Sequence, residues 1–166
     1  MSDPADYDIR YTQISDAAYL RRWILHDQVL QWMPLSTESE IENGIQCWVN
    51  FSRWNASLTA TIKGIPCGIA TLFLMPYRKV AHQACIKIIV DVPQQKKGIG
   101  TSLMKNLKHL SKNYFKLEVL GAELFSEKNP LVPFLIKENF HEVFRQEKFL
   151  KTNAGYEPRI YLEMSL

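Results

Sequence analysis

The sequence predicts one α+β, mixed α/β domain built on a single central, mostly antiparallel sheet of about seven strands flanked by about four helices. Two observations carry that prediction. The segments run in the order strand, two helices, three strands, helix, strand, helix, two strands, which is that of a mixed domain with one central sheet. In addition, the strand at 84–92 feeds a basic glycine turn and a helix, with another strand at 117–125. A right-handed crossover makes those two strands parallel and leaves the turn at their carboxyl ends.

Each element has a local reason. Residues 9–12 read as a short strand, after which Ser15 or Asp16 caps a helix that turns Leu20, Trp23 and Ile24 to the core. Beyond Trp32, Met33 and Pro34, the run Thr37-Glu38-Ser39-Glu40 forms a capping box for a helix striped by Ile41, Ile45, Trp48 and Val49. Leu58, Ala60 and Ile62 alternate with polar neighbours, Lys63-Gly64 turns the chain, and 68–75 returns as a nearly unbroken apolar strand. Residues 77–83 read as a polar loop before the strand at 84–92. In the next helix Leu103, Met104, Leu107 and Leu110 share a face opposite Lys105, Lys108 and Lys112, which read as solvated. After the strand at 117–125, Asn129-Pro130 starts a helix as cap and first position, and strands at 140–149 and 160–164 close the sheet.

With 166 residues, 46% of them hydrophobic, the chain fits a single domain spanning 1–166. No apolar run approaches the roughly 18 to 20 residues of a membrane span, and residues 1–8 lack the basic start and apolar core of an export signal. A cytoplasmic location without membrane partners is expected. Cys47, Cys67 and Cys85 are too few for a disulfide framework or zinc motif and read as buried thiols. His26, His82, His109 and His141 are scattered without ligand spacing, so no metal is expected. A net charge of +3, with the basic residues mainly around 96–116, argues against bulk nucleic-acid binding.

The turn from Val90 to Gly100 carries the chemistry. A helix's first N–H groups have no intrahelical acceptor and sit at the positive end of its dipole. Gly98 and Gly100 let the backbone approach an oxygen closely, and Lys96 and Lys97 add charge. Diphosphate is the natural guest. The turn lacks the Lys-Ser/Thr of a P-loop and the third glycine of a dinucleotide fingerprint.

Gln95-Lys96-Lys97-Gly98-Ile99-Gly100 matches the Arg/Gln-x-x-Gly-x-Gly/Ala signature of the GNAT superfamily of acetyl-CoA-dependent N-acetyltransferases, which the chain resembles over residues 84–140. Val90-Asp91 resembles that family's Val-Asp-Pro approach, with Pro93 one place late, and Asp16, Leu20, Trp23, Asp27 and Trp32 resemble its first helices more loosely. The resemblance implies a GNAT-like fold that takes acetyl-CoA as co-substrate and no metal. Gln95, Lys96, Lys97, Gly98, Ile99, Gly100 and Thr101 would hold the diphosphate on their backbone, and Ile88, Ile89 and Val90 would pair with the pantetheine arm. Family members place an asparagine seven residues before a tyrosine and twelve before a Gly-Phe phenylalanine. Counting from Phe140 reaches Lys128 rather than Asn129, and Leu135 rather than a tyrosine, while Asn139 replaces the glycine. Asn129 is thus read as a helix cap that also meets pantetheine. Because leucine has no proton to give, the leaving thiolate would take one from water, from Tyr156 or from Tyr161, or the domain would bind CoA as a regulatory module without turnover.

Transfer to an amine requires a neutral nucleophile and hence a base. Glu123, on the strand facing the pantetheine, occupies the place where some N-terminal acetyltransferases of the family keep a glutamate; Glu118 and Asp91 are lesser candidates. Backbone N–H groups near Val90 would receive the developing oxyanion. The acceptor is an amine of a protein N-terminus, a ribosomal protein, a polyamine or an aminoglycoside. It would enter past Gln31, Trp32, Met33, Tyr77, Arg78 and the loop 151–156 of a monomer or homodimer.

Overall fold

The computed structural model describes residues 6–166. Residues 1–5, part of the 1–166 domain span and of the segment read for an export signal, lie outside the described residues. Seven strands form one sheet: β1 (Tyr7–Tyr11), β2 (Ser57–Ile62), β3 (Ile65–Leu74), β4 (Gln83–Val90), β5 (Val119–Phe125), β6 (His141–Thr152) and β7 (Gly155–Ser165), in the order β1-β2-β3-β4-β5-β7-β6. Every neighbouring pair is antiparallel except β4 and β5, which are parallel as expected from the crossover between them. Lys63 and Gly64, at φ 52° and 78°, make the tight β2–β3 turn, whose left-handed residues match the twist of the strands.

Five helices cover the two faces. α1 (Ala17–Ile24), the single turn α2 (Asp27–Leu30) and α3 (Glu38–Asn50) lie on one, α4 (Ile99–Asn113) and α5 (Leu131–Lys137) on the other. On the first face Leu20, Trp23 and Ile24 of α1 join Ile41, Ile45, Trp48 and Val49 of α3 over Ile69 and Ile89. On the second, Leu103, Met104 and Leu107 of α4 and Leu135 of α5 pack on Leu72, Ile88, Leu120 and Ile160. The capping box at Thr37 forms as read, with Glu40 N–H donating to Thr37 Oγ1 at 3.2 Å and Thr37 N–H to Glu40 Oε2 at 3.0 Å.

Ser57, Thr59 and Thr61 of β2 are buried, and a chain of hydroxyls joins Ser57 and Thr59 to Thr12 and Thr71. Three expectations are corrected. Asp16 does not cap α1; its carboxylate turns back to accept from Gln13 N–H and Arg10. The loop 151–156 is the end of a long hairpin, since β6 extends by pairing with β7 although it is solvent-exposed and lacks an apolar stripe. Only Cys67 is a buried thiol; Cys47 is exposed and Cys85 intermediate. No described helix is long and apolar enough to cross a membrane.

Candidate functional site

The parallel pair opens partway along. β4 and β5 are bonded only through Gln83, Ala84 and Cys85 against Val119, Leu120 and Gly121. Beyond that rung the strands part, and a cavity of about 730 Å³ occupies the gap. Asp91 donates its N–H to Cys67 on β3 at 2.9 Å, so by alternation the backbone polar groups of Val90 and Ile88 point away from β3, into the gap. Ile89, between them, turns its own to β3.

At the carboxyl end of β4 a single turn, Val92–Gln94, takes in Pro93, and the chain then bends through two left-handed residues, Lys96 at φ 61° and Gly98 at φ 86°. Successive N–H groups are thereby gathered on one side, as in an anion-binding nest. α4 starts at Gly98 with no side-chain cap, and the N–H groups of Lys96 through Thr101 have no protein acceptor among the described residues. Gln95 fixes the bend by donating from Nε2 to the Val90 carbonyl at 3.1 Å. A Cβ on Gly100 would meet only Phe134 at 3.5 Å and Val90 at 4.0 Å, ordinary contacts. Packing therefore does not demand this glycine, and the open space above it faces the cavity. Lys108 is not a purely solvated member of its helix face; its Nζ binds Glu138 Oε2 at 2.7 Å and ties α4 to the end of α5.

On the opposite wall Asn129 is buried and lines the cavity together with exposed Lys128; its Oδ1 accepts from the N–H of Leu131 at 3.0 Å, but α5 starts at Leu131, so Pro130 stands at the N-cap rather than at the first helical position expected for it. Leu135 is 1% exposed within the core and has no hydroxyl to offer. Asn139 stands at φ 71° just after α5, a left-handed position that asparagine tolerates better than most residues, so the glycine is dispensable there.

Glu123 lines the cavity, and Arg159 on β7 donates from Nη2 to its Oε2 at 2.9 Å, leaving Oε1 free of protein partners. The Arg159 guanidinium lies 5.4 Å from the Phe144 ring centre and 5.3 Å from that of Phe149. Lys87 and Trp48 line the same cavity. Sequence reading missed Lys87, Trp48 and Arg159 as site residues; the one available signal was the break that Lys87 makes in the apolar run of β4. Gln31, Trp32 and Met33 line the cavity as expected. Tyr77, Arg78, Lys151 and Tyr156 do not, Tyr77 preceding the single turn Arg78–Val80 and Lys151 pairing with Tyr156 at the end of the β6–β7 hairpin; Glu118 and Asp91 also stand outside the lining.

Tyr161 sits at the rung where β4 and β5 part. Burial, reinforced by the neighbouring Cys85 thiol, pushes its pKa up to about 12, so it keeps its proton. The ring lies directly over Gly121, where a Cβ would fall 2.0 Å from the hydroxyl and 2.7 Å from the ring carbon that bears it. Gly121→Ala is accordingly expected to lower stability by about 1–3 kcal/mol through overpacking, measured by chemical denaturation. Among the described residues no three His, Cys, Asp or Glu side chains converge as metal ligands.

No family model and no curated protein matches the chain. Solved structures do. An acetyltransferase of the GNAT family from Streptococcus pneumoniae superposes with a TM-score of 0.76 at 16% identity, over 96% of this chain and 99% of that one. A Salmonella typhimurium protein described as a candidate acetyltransferase, solved with its cofactor acetyl-CoA, gives 0.78 at 14% identity over 97% and 94%. A ribosomal-protein-alanine N-acetyltransferase from Brucella melitensis gives 0.78 at 18% over 96% and 99%. The chain has the fold of the GNAT acetyltransferases.

Proposed function

We propose that the protein is an acetyl-CoA-dependent N-acetyltransferase acting on a primary amine in the cytoplasm. The observation that carries this reading is the run of unbonded N–H groups from Lys96 to Thr101 at the mouth of the parted strands. Such a cradle suits a diphosphate, and the gap beyond it offers the backbone groups of Ile88 and the Val90 N–H to an extended amide-bearing arm. Asn129 lines the opposite wall. Acetyl-CoA supplies an acetyl thioester when bound there. Of the carboxylates in the sequence that were candidates for the base, Glu123 is the one that lines the cavity, and its free Oε1 can take the proton of the incoming amine. Main-chain N–H groups of β4 would face the developing oxyanion. The acceptor named for the Brucella melitensis protein, a ribosomal protein's alanine, supports a protein N-terminus among the acceptors to be tried.

The buried Leu135 favours a second reading, a CoA-binding regulatory module without turnover. One experiment separates the two. Acetyl-CoA is expected to raise the melting temperature, and thiol release is expected with N-terminal peptides, lysine peptides, polyamines or aminoglycosides. Stabilisation without thiol release from any amine establishes the regulatory reading, and no stabilisation overturns both. Gly100→Glu, whose Cβ meets only ordinary contacts and whose carboxylate would repel the diphosphate, is expected to weaken acetyl-CoA binding about tenfold or more by calorimetry while thermal stability without ligand changes little.

A further inference from the structure

We infer that the acceptor amine carries a carboxylate, and that Lys87 binds it. This rests on the proposed acetyl transfer and adds the chemical class of the acceptor. Lys87 projects from β4 into the part of the cavity that Glu123 also lines, the two strands facing each other across the gap. Its side chain belongs to neither core, unlike its neighbours Ile86 and Ile88, which are buried under α4. The ammonium lies 4.8 Å from the centre of the Phe73 ring and 5.7 Å from that of Trp48. Those rings form a fixed platform, because Trp48 donates from Nε1 to Thr71 Oγ1 at 2.8 Å beneath the sheet surface.

No carboxylate among the described residues comes within salt-bridge distance of Lys87. Glu123, the acid that acts on it electrostatically, is already held by Arg159. Lys87 is exposed to the open cleft, and the protein packed around it lowers its pKa despite the opposing pull of Glu123. A cation so placed lacks an anion, and a ligand carboxylate is the group that completes it. The charged residues lining the cavity are Lys87, Lys96, Lys128 and Glu123, three cations and one acid. Lys96 belongs to the diphosphate cradle, so Lys87 and Glu123 are left to face the acceptor; a polyamine or aminoglycoside brings Lys87 no anion, whereas an amine with a nearby carboxylate offers its nitrogen to Glu123 and its oxygens to Lys87.

The test compares acceptors that differ only in charge: tripeptide amides beginning with aspartate or asparagine, alanine against alaninamide, and spermidine. Thiol release is measured for the wild type, Lys87→Arg, Lys87→Met and Lys87→Glu. The wild type is expected to favour the acid-bearing member by about tenfold or more in kcat/KM, with Lys87→Arg retaining much of that ratio. Lys87→Met should bring it near one, and Lys87→Glu should shift preference toward spermidine. Preference for alanine places the bound carboxylate on a free amino acid, and preference for the aspartyl peptide places it on an acidic side chain. A ratio near one in the wild type, or an unchanged ratio in Lys87→Met, overturns the inference while leaving acetyl transfer intact. If acetyl-CoA stabilises the protein but no amine is acetylated, calorimetric titration of the CoA-saturated protein with the same pairs reads the preference directly, and equal affinities overturn it. Failure of acetyl-CoA to stabilise the protein overturns the acetyl-transfer reading and this inference with it.

Discussion

Glu123→Gln is expected to lower kcat about 10²- to 10³-fold at pH 7 while leaving the stabilisation by acetyl-CoA as it is in the wild type. Glutamine keeps the shape of the side chain and an oxygen for the Arg159 Nη2 donor that now binds Oε2 at 2.9 Å. What it removes is a carboxylate able to take a proton from the amine. That need differs between acceptors: at pH 7 deprotonation costs roughly 4 to 5 kcal/mol for a lysine side chain of pKa near 10.4, and about 1 kcal/mol for an α-amine near 7.8. The variant's rate should therefore rise with pH until the acceptor's own pKa is reached, and the deficit should be larger for lysine peptides than for N-terminal ones. Steady-state rates between pH 6 and 10 with both acceptor types check this. A loss under threefold with an unchanged pH profile would reduce Glu123 to an ion-pair partner that anchors Arg159 between Phe144 and Phe149.

Much of this arrangement was legible in the sequence because local chemistry dictates it. The capping box at Thr37 and Glu40, the Lys63-Gly64 turn and the 3–4 spacing of α4 are satisfied within a few residues of themselves, and each forms where it was read. The glycine turn was legible for the same reason, since its orphan N–H groups follow from a helix beginning without a cap. The far side of the cavity was not. Lys87, Trp48 and Arg159 come from three elements, and only the sheet order, with β7 inserted between β5 and β6, brings Arg159 beside Glu123. The length of β6 was hidden because an exposed edge strand carries no apolar stripe, and its bounds come from pairing with β7. The burial of the polar residues of β2 was not legible either, because alternation reports which residues share a face, not whether the fold covers it.

Those buried hydroxyls lead to the second large effect. Asp16, 2% exposed, accepts from Arg10 Nη1 and Nη2 at 2.8 and 2.9 Å, from Gln13 N–H at 2.9 Å and from Thr59 Oγ1 at 3.0 Å. Thr12 links Thr59 to Ser57, Ser57 Oγ lies 2.6 Å from Thr71 Oγ1, and Thr71 accepts from Trp48 Nε1. Asp16→Ala leaves the Gln13 N–H without its acceptor and takes one of two partners from the buried Thr59 hydroxyl, which keeps Thr12, while the partly exposed Arg10 recovers some hydration. The expected cost is about 2–4 kcal/mol, below the upper range for breaking a fully buried ion pair. Burial by itself would raise the Asp16 pKa, but the hydrogen bonds from Arg10, Gln13 and Thr59 outweigh it and hold the carboxyl below its ordinary value. The sign follows from linkage: stability from this ionisation is complete above the unfolded pKa of about 3.9 and is lost as pH falls through the lower folded one. Asp16→Asn should thus melt lower than wild type at pH 7 and lose less melting temperature between pH 5 and 2. Because the hydroxyl chain ends on Trp48, a wall of the cavity beside Lys87, Asp16→Ala should raise KM for the amine more than for acetyl-CoA. Equal shifts in both constants would mean that the network supports the whole sheet rather than the acceptor wall.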